Sequence, residues 1–96
     1  MTKREIEIVV HKIEGTCPVF RERDTFLVKD GYILESEIPL CIHALRALLH
    51  FASLIARGFT GADLGLGDGK EAYVACPDPG PPLTPGGRVI FRLTAI

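Results

Sequence analysis

The sequence predicts an α+β fold, a small antiparallel sheet of about four strands packed on one long helix, in a single domain covering residues 1–96. Two features lead to that class. Short runs rich in Ile, Val, Phe and Thr, bounded by glycine, proline or aspartate, recur in both halves of the chain and have strand length. Between them lies one apolar segment with a helical polar period, and strand runs interrupted by a single helix point to α+β.

The first strand is expected over residues 4–13, where Ile6, Ile8 and Val10 point one way and Glu5, Glu7 and Val9 the other. Glu14-Gly15-Thr16 reads as a turn that delivers Cys17-Pro18 just past the strand end. The residue before a proline is pushed to extended backbone, so Cys17 is displayed from a loop. Residues 24–28 form a second strand, Lys29-Asp30-Gly31 a hairpin turn signalled by Asp-Gly, and residues 32–34 a third, short strand. The helix follows. Ser36 or Glu37 caps it, Pro39 occupies its first turn, where a missing N–H costs nothing, and Gly58 ends it after Arg57.

The helix carries His43, Arg46, His50, Ser53 and Arg57 at alternating spacings of three and four, a narrow polar stripe on an otherwise apolar cylinder. Such a helix is expected to be covered on more than one side, by the sheet and by a second subunit, so a homodimer is expected. Residues 60–70 are glycine-rich and irregular, with one helical turn at 62–66. Residues 71–75 form a strand ending at Cys76-Pro77. Residues 77–87 hold five prolines and three glycines, which excludes regular structure but leaves the loop stiff, because proline fixes φ. Residues 88–94 are the last strand, antiparallel to the one before the loop.

Composition narrows the function. A net charge of −1, with no clustered basic excess, argues against nucleic-acid binding. Residues 1–7 interleave charges with apolar side chains and do not read as a signal peptide. The most apolar stretch, residues 40–56, is interrupted by His43, Arg46 and His50 and is no membrane span. A cytoplasmic address is expected, where thiols stay reduced, and an odd count of three cysteines leaves at least one thiol free in a monomer.

Those cysteines carry the chemistry. Cys17 and Cys76 each precede a proline, and Cys41 stands with His43 at the helix start. Three thiolates and an imidazole are a sufficient donor set for zinc or an iron centre, so Cys17, Cys41, His43 and Cys76 are the candidate metal ligands. The strong signature, paired cysteines two residues apart, is missing. Two residues along a helix turn by about 200°, so Cys41 and His43 converge only if Cys41 lies at the non-helical cap. Three buried structural thiols are the alternative. A third reading makes Cys41 or Cys76 a nucleophile with His43 as its base, the helix dipole favouring a thiolate at Cys41.

Other residues have secondary roles. Asp78, rigidly placed between two prolines, can support a ligand or close an Asx-type turn. Arg46 and His50, with His43, can line a groove for a small anionic ligand or simply face solvent. His43 and His50 lie about 10.5 Å apart along the axis and cannot share one metal. His11 lies on a strand and reads as unremarkable. The run Gly65-Leu66-Gly67-Asp68-Gly69-Lys70 lacks the Lys-Ser/Thr ending and the strand–helix setting of a phosphate loop, and reads as a turn.

Cys17-Pro18, His43-Ala44-Leu45 and Ala75-Cys76-Pro77-Asp78-Pro79 together resemble the pattern of a family of small bacterial and archaeal proteins of about this length. The resemblance covers nearly the whole chain, and the Ala-Cys-Pro-Asp-Pro stretch is its most specific part. Many members carry a Cys-Pro just before the helix, where this chain has Ile38-Pro39 and places its cysteine at Cys41. The resemblance implies the same fold unit and the same residues of interest, without an activity. The sequence thus leads to a small protein that binds a metal ion, cluster or small ligand at a Cys/His site. The alternatives are a thiol-based enzyme or redox protein and a dimeric interaction module.

Overall fold

The computed structural model describes residues 5–96, so residue 4 of the expected first strand, and most of the segment read for a signal peptide, lie outside the described residues. Five strands form one antiparallel sheet, and the element order is β1 Ile6–Gly15, β2 Thr25–Lys29, β3 Ile33–Glu35, α1 Ile42–Ala56, α2 Gly61–Leu64, β4 Ala72–Ala75 and β5 Gly87–Ala95. The strand order is β3-β2-β1-β5-β4. The α+β class is as expected. The sheet has five strands rather than four because the short β3 pairs fully with β2, from Leu27↔Glu35 to Lys29↔Ile33. Its hairpin turn follows the Asp-Gly signal: Asp30 (φ 57°) and Gly31 (φ 84°) both take positive φ, as the primed turns require.

The inward face of the sheet is a continuous apolar layer. Ile6, Ile8, Val10, Phe26, Val28, Ala72, Val74, Val89, Phe91 and Leu93 are all buried, and α1 covers them with Ala44, Leu48, Ala52, Ile55 and Ala56. Those helix residues recur at three and four, so one face docks. Three alanines among five contacts let the helix backbone come close to the sheet. The polar stripe points away, with His43, Arg46 and His50 exposed. Apolar Ile42 (75% exposed) and Leu49 (40%) also lie outside the contact, so the sheet alone does not cover the helix on two sides.

Two expectations change. First, α1 starts at Ile42 with Cys41 as its N-cap, not near Pro39. The Ser36 hydroxyl donates to the Ile38 carbonyl (2.8 Å) and accepts from the Ile38 N–H (3.0 Å), so it closes its own turn instead of capping a helix. Pro39 biases Ile38 to extended backbone as well. At the far end Gly58 takes φ 104°, as expected. Second, β1 runs on to Gly15, because Glu14 and Gly15 pair with Arg88 and Gly87 where a turn was expected. A register shift between Val10 and Lys12 inserts one extra residue, which turns Ile13 toward the core side opposite Val89.

The glycine-rich segment after α1 opens with α2, whose capping box pairs Thr60 with Asp63. It then runs along the outer edge of β4, where the Tyr73 N–H donates to the Leu66 carbonyl at 2.8 Å. The edge next to β4 is thereby covered. Residues 65–70 are turn and bend, as expected.

Candidate functional site

Topology explains why distant cysteines meet. β1 and β4 are both antiparallel to β5 and therefore parallel to each other, so both chains leave the sheet at the same end. Cys17-Pro18 follows β1 there, Cys76-Pro77 follows β4, and Gly87 opens β5 between them. The N-terminus of α1, with Cys41 and His43, lies over that same end. The result is a cleft of about 470 Å³ whose walls include Cys17, Cys41, His43, Arg46, Cys76 and Asp78. That size falls in the range of small-molecule sites.

Each thiol is held differently. The Phe20 N–H donates to Cys17 Sγ at 3.3 Å, closing a Cys-Pro-Val-Phe turn. Phe20 anchors this turn: it is buried and meets Phe91 edge-on, with ring centroids 5.2 Å apart. The Val89 N–H donates to Cys76 Sγ at 3.2 Å, and Cys76 Sγ lies 3.7 Å from the Gly87 carbonyl oxygen. Pro77 ends the ladder at this point, and the sulfur of Cys76 accepts the next N–H of β5. Cys41, at the extended N-cap (φ −82°, ψ 126°), makes no side-chain capping bond. All three thiols are free and half-buried.

The proline loop forms one rim and is closed by Asp78. Asp78 Oδ1 accepts from the Gly80 N–H at 2.8 Å and from the Thr84 hydroxyl. These bonds, the Thr84 hydroxyl foremost, hold its carboxyl below the usual carboxylate value. Asp78 thus takes the Asx-turn role, its charge used within the loop. The loop base is tight: a Cβ on Gly87 would fall 2.7 Å from the Thr16 nitrogen and 2.9 Å from its carbonyl carbon and oxygen. Only glycine allows β1 and β5 to approach in this way at the cleft floor.

The sequence-derived candidates divide accordingly. Cys17, Cys41, His43, Cys76, Asp78 and Arg46 share the cleft, whereas His50 lies a further turn along α1, outside the lining and in edge contact with Phe51. Among the described residues no three His, Cys, Asp or Glu side chains are grouped so as to hold a metal ion. Cys41 does occupy the non-helical cap that convergence with His43 demands, and yet the four do not close into a coordination shell. His11, expected to be unremarkable, packs edge-on against Tyr73 on the opposite face of the sheet. The apolar lining of Val19, Phe20, Ala44 and Val89 was not marked by the sequence.

Comparison with known protein families, with curated proteins and with solved structures returns no match. No helix among the described residues is long and apolar enough to cross a membrane.

Proposed function

We propose that this chain is a small-ligand binding protein whose site is the thiol-lined cleft, and that the ligand has an apolar body and an anionic group. One observation carries the reading: side chains from four separated segments, at residues 17–20, 41–46, 76–78 and 87–89, converge on one ligand-sized cleft. Val19, Phe20, Ala44 and Val89 offer the apolar contact. Arg46 and His43 stand at the polar side, where a guanidinium favours a carboxylate or phosphate. Zinc or iron fits this arrangement less well, since the cysteines and His43 would have to move to form a coordination shell.

The homodimer belongs to the same proposal, supported by exposed Ile42 and Leu49 on α1 and by Leu34 of β3, which lines a groove with Leu49. Sedimentation equilibrium decides it. The ligand reading is tested by ¹H–¹⁵N NMR titration with a set of aryl and alkyl carboxylates, their neutral amides and zinc chloride. Carboxylate-selective shifts confined to residues around the cleft support it. Zinc binding with loss of the three thiols to alkylation would replace it by the metal reading, and no shift at the cleft from any probe would refute both.

A further inference from the structure

The three thiols of the cleft are not equivalent. Cys17 and Cys76 each accept one backbone N–H, from Phe20 and Val89, completing turns at two strand ends. Cys41 stands where a serine or aspartate would normally accept a first-turn N–H, and it makes no such bond. It is the uncommitted sulfur in the wall of the cleft. On the same helix and the same cleft, Arg46 forms no ion pair among the described residues. The one carboxylate in the lining, Asp78, is occupied by Gly80 and Thr84. A ligand-sized cleft therefore combines an unengaged thiol with an unpaired guanidinium.

We propose that Cys41 exchanges with low-molecular-weight disulfides that carry carboxylates, with Arg46 holding the carboxylate. This inference rests on the cleft being a ligand site. The chemistry balances without a further oxidant. The Cys41 thiolate attacks one ligand sulfur, the ligand S–S bond breaks, and a new S–S bond joins Cys41 to that half of the ligand. The other half leaves as a thiolate and takes up the proton that Cys41 gave up. Cys41 is oxidised, the departing half is reduced, and excess small thiol reverses the step. A mixed disulfide at Cys17 or Cys76 would disturb the N–H···S contact that its sulfur completes at a strand end, which disfavours the adduct there.

The test uses the reduced full chain with oxidised glutathione, acid quenching, intact mass and peptide mapping. The expected result is a single glutathionyl adduct at Cys41, formed roughly tenfold faster than with uncharged 2-hydroxyethyl disulfide, about the size of effect that one charge-assisted contact provides. Arg46→Gln abolishes that preference, and excess reduced glutathione releases the adduct. Adducts spread evenly over the three cysteines, none at Cys41, or no preference for the charged disulfide would overturn the inference. A parallel NMR titration with S-methylglutathione, a thioether that cannot exchange, separates the two levels. Cleft shifts without Cys41 adducts refute the exchange and keep the ligand site, and no shifts at all remove both.

Discussion

Leu48→Ala against Leu49→Ala tests how α1 sits on the sheet, and with it where Cys41, His43 and Arg46 point. Leu48 is fully buried, and Leu49, the next residue, is 40% exposed. Adjacent helix positions differ by about 100°, so the pair reads the helix rotation directly. Truncating Leu48 removes about three methylene equivalents, worth roughly 2.4 kcal/mol of transfer free energy. The cavity left under a helix anchored by neighbouring alanines brings the expected loss to about 3 kcal/mol. In a domain of this size that is a large share of the roughly 5–15 kcal/mol typical of folded proteins. It lowers Tm by about 12–24 °C, at 4–8 °C per kcal/mol. Leu49→Ala is expected to change stability by less than about 1 kcal/mol, since much of its side chain already meets water. Urea unfolding followed by far-ultraviolet circular dichroism measures both, with equal m-values as the check that only stability has moved. Equal losses for the two variants, or a larger one for Leu49, would mean that α1 is rotated from the orientation described and that the cleft lining is wrong.

Other perturbations address the cleft directly. Cys76→Ser keeps an acceptor for the Val89 N–H whereas Cys76→Ala leaves it unpaired, so Ala should be the less stable by about 1 kcal/mol in the same urea assay. Equal stability would show that the sulfur bond contributes nothing. Gly87→Ala places a Cβ against the Thr16 backbone and should cost about 1–3 kcal/mol while distorting the cleft floor, visible as weakened carboxylate-fragment shifts. The Asp78 carboxyl lies below its ordinary value of 3.8 in the folded chain, so its contribution is present above that value and is lost as pH falls through the lower, folded one. Amide exchange at Gly80 should therefore stay slow from neutral pH down to about 4, after correction for intrinsic rates, and quicken only below it. Loosening between pH 5 and 7 would contradict the clamp, and Thr84→Val should weaken it at every pH.

What the sequence made legible was local. Asp30-Gly31 specified its hairpin, Gly58 the end of the helix, and the alternation of Ile6, Ile8 and Val10 the inner face of β1. Local rules failed where two groups compete for one role. Ser36 looked like a cap, yet its hydroxyl bonds Ile38 two residues on, and the helix waits for Cys41. The extra residue in β1 had no marker, because a bulge depends on the partner strand. The six residues that share the cleft were all nameable from the sequence by their chemistry. That Cys17, Cys41, His43 and Cys76 share one site was expected from their donor chemistry, but the reason they do, β1 and β4 both pairing with β5, carries no local signal. Val19, Phe20 and Val89 look like ordinary core residues until that pairing brings the strand ends together.

A ligand in the cleft can be seen directly. The most direct measurement is a set of intermolecular nuclear Overhauser effects from the tightest-binding carboxylate fragment. Contacts from its apolar protons to Val19, Ala44 and Val89, with affinity reduced in Arg46→Gln, are the predicted result. Contacts confined instead to a second groove between β3 and α1, lined by Tyr32, Leu34 and Leu49, would contradict it and move the binding surface to the far end of the helix.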